Sequence, residues 1–151
     1  MDVAVKHQGG DRYSIDVGGH RVVVDQPDTG DTGPTPTDLF VASLAACTAH
    51  YAGRFFARHG VSADGFEVAC AFEMAEGRPA RVGSVSLELR LPDAFPGALR
   101  ERLRAVVEHC TVHNSIAMPP EIRIDLLASE RAAYGESRSR RQPEGATASR
   151  V

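Results

Sequence analysis

The fold is decided by the stretch TPTDLFVASLAACTAH, residues 35–50. Thr35 can cap a helix, Pro36 suits the first helical position, and Asp38 completes a capping-box spacing with Thr35. The apolar run that follows predicts a helix that continues to about His59, with Gly60 as its stop. Because the first half of this helix is apolar on almost all sides, we expect it to lie buried at the centre of the domain.

The segments before this helix predict β structure. Residues 3–7, 13–17 and 21–25 are short and contain β-branched or aromatic side chains, and glycine-rich turns separate them. This pattern is typical of an antiparallel meander of hairpins. Residues 26–37 are rich in Pro, Asp, Thr and Gly, and they predict a long loop of the kind that often carries function.

The segments after the helix predict a hairpin, a second helix and a last strand. Apolar residues alternate with polar ones along residues 66–74 and 82–91, which predicts two half-buried strands joined by a turn at 76–79. A helical apolar pattern runs from residue 95 or 96 to residue 110, and residues 122–127 predict a final strand. The fold class is therefore α+β, with one domain over residues 1–128 and a disordered polar tail over 129–151.

Composition excludes several classes of protein. The chain has 151 residues, 42% hydrophobic and 25% charged, which is ordinary for a single globular domain. A net charge of −3 gives no strong field for nucleic acid or an anionic membrane, and no apolar run approaches the ~20 residues that span a bilayer. The first residues lack a signal-peptide pattern, and three scattered cysteines make no disulfide framework. We therefore expect a cytoplasmic protein.

A polar stripe on the first helix suggests thiol chemistry. At 100° per residue, Ser43, His50 and Arg54 lie within about 60° of Cys47 on the helix surface. Nearby cations lower the pKa of a cysteine and favour the nucleophilic thiolate. The competing interpretation is that Cys47 is a small buried hydrophobe, as free cysteines usually are.

A second Cys-x-x-His segment, residues 110–113, repeats the spacing of residues 47–50. Cys110 is expected at the end of the second helix, beside a polar turn over 111–115. Such a flexible, accessible place suits a cysteine that resolves a disulfide, because disulfide geometry needs Cα atoms within about 7 Å. Cys70 points inward from a predicted strand and is expected to be plain core.

Three segments together resemble the OsmC/Ohr family: GDTGPTPTDL at residues 30–39, AACT at 45–48 and CTVH at 110–113. The resemblance covers roughly residues 10 to 127, and it is closest to the general OsmC-like branch. It implies an OsmC-like fold in which two chains intertwine as a homodimer, with the long cysteine-bearing helix at the centre.

The resemblance also implies thiol peroxidase chemistry at the dimer interface, without a cofactor. Cys47 would attack the O–O bond of an organic hydroperoxide, Cys110 would trap the sulfenic acid as a disulfide, and a dithiol of the lipoyl type would restore both thiols. The family's catalytic arginine corresponds to Arg21 or Arg12, of which Arg21 is preferred. Thr37 occupies the position of the hydroperoxide branch's glutamate, and Asp38 directly after it is the acidic candidate for the catalytic site, with helix capping as its competing role.

Six further residues are predicted to bind substrate or to border the site. An apolar cleft suits an alkyl peroxide better than hydrogen peroxide, and polar neighbours of the two cysteines would frame it. The predicted set is Phe40, Leu44, His50, Tyr51, Arg54 and His113.

Three alternatives compete with the peroxidase hypothesis. Cys47, His50, Cys110 and His113 could supply a tetrahedral Cys2His2 metal site. Cys47 could instead carry out acyl transfer or hydrolysis with His50 as base, although no oxyanion hole is evident. The third alternative is a binding module with a degenerate site that takes small apolar ligands between subunits, in a pocket lined by Phe40, Leu44, Tyr51 and Phe55.

Overall fold

The computed structural model describes residues 3–128. These residues form five strands, three α-helices and one 3-10 turn, in the order β1 (Val3–Gly9), β2 (Arg12–Val17), β3 (His20–Val24), α1 (Pro36–His59), β4 (Glu67–Met74), β5 (Val82–Arg90), the 3-10 turn (Gly97–Leu99), α2 (Arg100–Val107) and α3 (Thr111–Ala117). The α+β class is confirmed. All these elements belong to a compact unit over Met1–Pro119, and a second unit begins at Pro120.

The predicted N-terminal meander is confirmed. Strands β1, β2 and β3 form an antiparallel sheet in that order. The β2–β3 register places Asp16 opposite Arg21. Glycines supply the turns, and Gly9, Gly10, Gly18 and Gly19 all have positive φ, a backbone conformation that glycine adopts without steric cost.

Helix α1 begins and ends where the sequence predicts. The hydroxyl of Thr35 accepts a hydrogen bond from the backbone N–H of Asp38, and the carboxylate of Asp38 accepts one from the backbone N–H of Thr35. Gly60 closes the helix with φ 65°, in the left-handed region. This capping box satisfies two N–H groups that a helix start otherwise leaves without partners.

One face of α1 forms the core. Val41, Leu44, Thr48, Ala52, Phe55 and Phe56 are buried. Phe56 packs edge-on against Phe66 and Phe95, with ring centroids 4.9 Å and 5.6 Å away. The opposite face is open in the single chain, since Ala42 and Ala46 are exposed. The expectation that α1 is buried on most sides is therefore wrong for one chain alone.

The β4–β5 hairpin has the predicted alternation. The antiparallel register pairs Cys70 with Leu87 and Phe72 with Val85, and these side chains are half-buried, whereas Glu73 and Glu88 are exposed. Burial raises the pKa of the Cys70 thiol. Cys70 faces inward as the sequence predicts, but it is half-buried and does not belong to the buried core of the single chain.

The region from residue 97 to residue 117 differs from the prediction. A single helix was expected from residue 95 or 96 to 110, but the structure has the short 3-10 turn, α2, and then a separate helix α3. The predicted polar turn over 111–115 lies inside α3. The helix break falls at residues 108–110, so Cys110 precedes a new helix rather than ending the old one.

Residues 120–128 contain no helix or strand, so the predicted strand over 122–127 is wrong for the single chain. The side chains that would face one side of such a strand lie in water: Ile122 is 79% exposed, Ile124 80% and Leu126 94%. A strand needs a partner edge for its backbone hydrogen bonds, and none is provided here. The predicted disordered tail over 129–151 lies outside the described residues.

Candidate functional site

Cys110 is fully buried at the start of α3. Its sulfur accepts a hydrogen bond from the backbone N–H of His113 at 3.4 Å, which makes Cys110 the N-cap of this helix. The same sulfur lies 3.9 Å from the hydroxyl of Thr48, which is also buried. The expectation of a flexible, accessible cysteine is wrong, because tertiary packing of α1 against α3 encloses the thiol.

Cys47 lies one position before Thr48 on α1 and is only partly buried. Within residues 3–128 its sulfur forms no hydrogen bond. Ser43, His50 and Arg54 are exposed on the same side of the helix, and the Ser43 hydroxyl donates to the carbonyl of Phe40. The predicted polar stripe therefore exists, but it faces outward from the single chain.

The structure does not bring Arg21 to either cysteine within one chain. Its guanidinium Nε donates to Oδ1 of Asp16 at 2.7 Å, across the β2–β3 pair. The hydrogen bond from Arg21 lowers the pKa of Asp16, and Asp16 in turn raises the pKa of Arg21. Arg12, the second candidate, is exposed at the start of β2. The geometry of the single chain therefore assigns neither Arg21 nor Arg12 to the site.

Asp38 forms its side-chain hydrogen bonds with Thr35, three residues earlier in the chain. Its Oδ2 accepts hydrogen bonds from the hydroxyl of Thr35 at 2.8 Å and from the backbone N–H of Thr35 at 2.9 Å. These hydrogen bonds lower the pKa of Asp38. In residues 3–128 no ion pair joins Asp38 to an arginine, so the contacts of Asp38 are those of a helix cap.

Asp25 is a buried carboxylate that the sequence analysis missed. Its two oxygens accept from the hydroxyl of Thr32 at 2.6 Å, from the backbone N–H of Gln26 at 2.8 Å and from the backbone N–H of Thr32 at 3.2 Å. The Thr32 hydroxyl is the main cause that lowers the pKa of Asp25. A Cβ at Gly30 would lie 2.7 Å from Oδ2 of Asp25, so the loop closes tightly on this group.

Asp25 thereby fixes the loop that delivers the chain to α1. An Asp directly before a segment of Pro, Asp, Thr and Gly is a signal for side-chain-to-backbone turns. That signal could have identified Asp25 from the sequence.

Three of the predicted binding residues line one apolar cleft. A cavity of about 400 Å³ lies between α1, β5 and α3, and its walls include Phe40, Leu44, Leu87, His113 and Ile116. His113 lies three residues after Cys110 and also borders a neighbouring cavity of about 490 Å³. An apolar cleft of this size with one imidazole can accept a small apolar ligand.

The other predicted binding residues lie elsewhere. The Tyr51 hydroxyl is 2.9 Å from the hydroxyl of Thr111, the residue that follows Cys110. Tyr51 and Arg54 line a separate groove between α1 and α2. His50 is exposed, and its ring packs edge-on near the ring of Tyr51 at 6.2 Å.

The structure does not assemble the metal site that was considered from the sequence. Across residues 3–128, no group of three or more His, Cys, Asp or Glu side chains is placed to hold a metal ion. The Cys2His2 set would have needed all four members of the two Cys-x-x-His segments. In the same part of the chain, no helix combines the length and the apolar character needed to cross a membrane.

Comparison with known proteins identifies the family. The sequence matches the family described as OsmC-like protein over residues 28–125, more than half of the chain. This chain belongs to that family. It has no significant match among the curated proteins.

Solved structures show the same fold. A protein from Psychrobacter arcticus 273-4 is 23% identical with a TM-score of 0.69, over 75% of this chain and 85% of that chain. The organic hydroperoxide resistance protein OsmC from Legionella pneumophila is 19% identical with a TM-score of 0.59, over 77% and 89%. The organic hydroperoxide resistance protein OhrB of Bacillus subtilis is 20% identical with a TM-score of 0.57, over 76% and 90%.

Proposed function

We propose that this chain is a homodimeric thiol peroxidase that reduces organic hydroperoxides, with Cys47 as the reactive thiol and Cys110 as the resolving thiol. The observation that carries the proposal is the packing of α1 on α3, which brings Cys110 against the turn of α1 that holds Cys47; the contact itself, at 3.9 Å, is between the Cys110 sulfur and the hydroxyl of Thr48. Family membership supports it, since two relatives of the same fold are named hydroperoxide resistance proteins.

The proposed reaction has three steps. The Cys47 thiolate attacks one oxygen of ROOH, the O–O bond breaks, and the alkoxide takes a proton to leave as ROH while Cys47 becomes a sulfenic acid. The Cys110 thiol then attacks the Cys47 sulfur, which forms a disulfide and releases water. An external dithiol reduces this disulfide by exchange, so that two electrons return to the protein and the dithiol becomes a cyclic disulfide.

The apolar cleft between α1, β5 and α3, whose lining includes neither Cys47 nor Cys110, offers a place for the alkyl part of an organic substrate that hydrogen peroxide lacks. Phe40, Leu44 and Ile116 offer surface to an alkyl chain, and burial of apolar area contributes about 25 cal/mol per Å². Within residues 3–128, His113 is the one lining residue of this cleft with an ionisable side chain. We expect affinity to rise with the length of the alkyl chain until the cleft is filled.

Substitution of Cys47 tests the function. Cys47→Ser should lower organic hydroperoxide consumption at least about 100-fold, because a serine hydroxyl does not form the nucleophilic anion near neutral pH. Cys70→Ser is the matched control, since Cys70 is half-buried in β4 and burial raises the pKa of its thiol. Consumption is measured with a dithiol reductant in excess. Retained turnover in Cys47→Ser would sink the proposed function.

The homodimer is supported by apolar surface that one chain leaves in water. Ile122, Ile124 and Leu126 alternate with polar residues and are all more than three-quarters exposed. The outer face of α1 also exposes Ala42 and Ala46. Monomeric proteins rarely leave such surface uncovered. We propose that a second copy covers both regions and pairs with the 122–127 segment as a strand.

A dimer would also explain why Arg21 does not reach the cysteines of its own chain. The meander makes little contact with α1 in its own chain, so we propose that Arg21 serves Cys47 of the second copy, where it stabilises the alkoxide leaving group. Mixing the inactive variants Cys47→Ser and Arg21→Gln, after unfolding and refolding together, tests this arrangement. Heterodimers would then contain one intact site and recover about a quarter of wild-type activity by random assortment. No recovery would place Arg21 and Cys47 in the same chain or remove Arg21 from the site.

A further inference from the structure

A groove lies between α1 and α2, and the charged side chains in its lining are all basic. It has a volume of about 490 Å³, within the range of small-molecule sites. Its polar wall consists of Tyr51, Arg54, Arg58, His59, Arg102 and His109. Phe55 gives it an apolar floor, on which the His59 ring stacks at a centroid distance of 4.0 Å.

The arginines of the groove are set apart by their position around one concave surface. Arg21, Arg90 and Arg104 each form an ion pair with a carboxylate at 2.7–2.9 Å. Arg54, Arg58 and Arg102 form no ion pair within residues 3–128, as is also true of several isolated surface arginines, but these three line one groove that has no carboxylate in its lining. Like charges that are gathered without a counter-charge repel one another, and an anion in the groove would relieve that repulsion.

Helix dipoles explain only part of this arrangement. Arg58 and His59 occupy the last turn of α1, where a cation is favoured by the partial negative charge of the helix end. Arg102 instead lies in the first turn of α2, where the helix dipole disfavours a cation. Arg54 lies one turn before the end of α1. The convergence of these groups from two helices therefore needs another reason.

We propose that this groove binds a small molecule bearing one or more phosphate groups. Guanidinium groups present planar pairs of N–H donors that match phosphate oxygens, and a phosphate offers enough acceptors for several arginines at once. Nδ1 of His59 is held by the carbonyl of Phe55 at 2.9 Å, and within residues 3–128 Nε2 has no hydrogen-bond partner. The Tyr51 hydroxyl already contacts Thr111, so the groove adjoins the start of α3 without including either of the reactive cysteines.

Calorimetric titration of the full-length protein with inorganic diphosphate at low ionic strength tests the proposal. The expected result is saturable binding that weakens as salt is added, because exposed charges are screened. In thermal unfolding, diphosphate should also raise Tm. Arg58→Gln and Arg102→Gln should each weaken binding about tenfold or more, since a charged hydrogen bond is lost. Either variant alone keeps the test valid if the other fails to fold.

Arg78→Gln is the matched control, because it removes the same charge from the exposed hairpin turn at residues 76–79 and should leave binding unchanged. Citrate, at a similar total charge, tests whether phosphate is distinguished from carboxylate, and it should bind at least about tenfold more weakly. Absence of diphosphate binding, an equal loss in Arg78→Gln, or equal binding of citrate would each overturn the phosphate site. None of these outcomes depends on peroxidase activity.

Discussion

The two Cys-x-x-His segments share a spacing and differ in almost everything else. Cys47 lies in the interior of the long helix α1, is partly exposed, and has no hydrogen bond to its sulfur within residues 3–128. Cys110 is fully buried and caps α3 through its sulfur. Identical spacing therefore does not give identical chemistry, because the position of a residue relative to the helix start and to the neighbouring elements sets its environment.

The largest expected difference between the two segments is in thiol reactivity. In the native reduced protein, Cys47 should react with iodoacetamide at least about 100-fold faster than Cys110, because a buried thiol is reached only through local opening. Mass spectrometry of the modified peptides over time measures both rates in one sample. In denaturant the two rates should converge. Equal native rates would mean that the enclosure of Cys110 is not maintained in solution.

A smaller difference is expected in stability. Cys110→Ala should lower the free energy of unfolding by about 1–3 kcal/mol, because it removes both a helix cap and a buried side chain. Cys47→Ala should change it by less than about 0.5 kcal/mol, since alanine favours the helix interior and Cys47 is not fully buried. Urea denaturation measures both values. Cys110→Ser should recover part of the loss, because serine is a preferred N-cap.

A cost for Cys47→Ala as large as that for Cys110→Ala would contradict this contrast. It would show that Cys47 is packed as tightly as Cys110 in the assembled protein.

The smallest expected effect on stability concerns the loop that leads into α1, and it should appear mainly at acid pH. Asp25 anchors the loop before α1, and its pKa is lower in the folded chain than in the unfolded one. Its contribution to stability is thus fully present above the unfolded pKa of about 3.9 and is lost as the pH falls through the lower folded value. Asp25→Asn should flatten the loss of stability over this range and lower stability at pH 7.

Asp28→Asn is the matched control for Asp25→Asn, because Asp28 lies in the same loop and is exposed. Thermal unfolding from pH 7 to pH 2 compares the two variants with the wild type. An unchanged acid profile in Asp25→Asn would mean that the carboxylate does not hold the loop in solution.

Local signals determined which elements could be predicted. The capping box at Thr35 and Asp38 and the stop at Gly60 define α1 from sequence alone, and strict alternation defines β4 and β5. Helix α3 was missed because cysteine is an uncommon N-cap and the helix is only seven residues long. The 122–127 segment has the pattern of a strand, but the pattern does not supply the edge with which a strand must pair.

The position of predicted binding residues follows from the sequence only where they lie one helical turn apart. Phe40 and Leu44 are such a pair on α1 and line one cleft, whereas His113 reaches the same cleft from α3 through tertiary packing. The role of Arg21 stays a prediction, because within one chain the strand register puts it opposite Asp16 and the ion pair follows from that pairing. Cys110 was placed in an open turn because its burial depends on α1, about sixty residues earlier in the chain.

The sulfur of Cys110 begins a helix, and this has a consequence for any chemistry performed on it. Bonded to a second sulfur, it would accept less well from the N–H of His113. The first turn of α3 would then lose its anchor at the moment of oxidation. His113 and Ile116, which α3 contributes to the lining of the apolar cleft, would become less ordered as well. Oxidation of the Cys110 sulfur would therefore change the order of one side of the cleft.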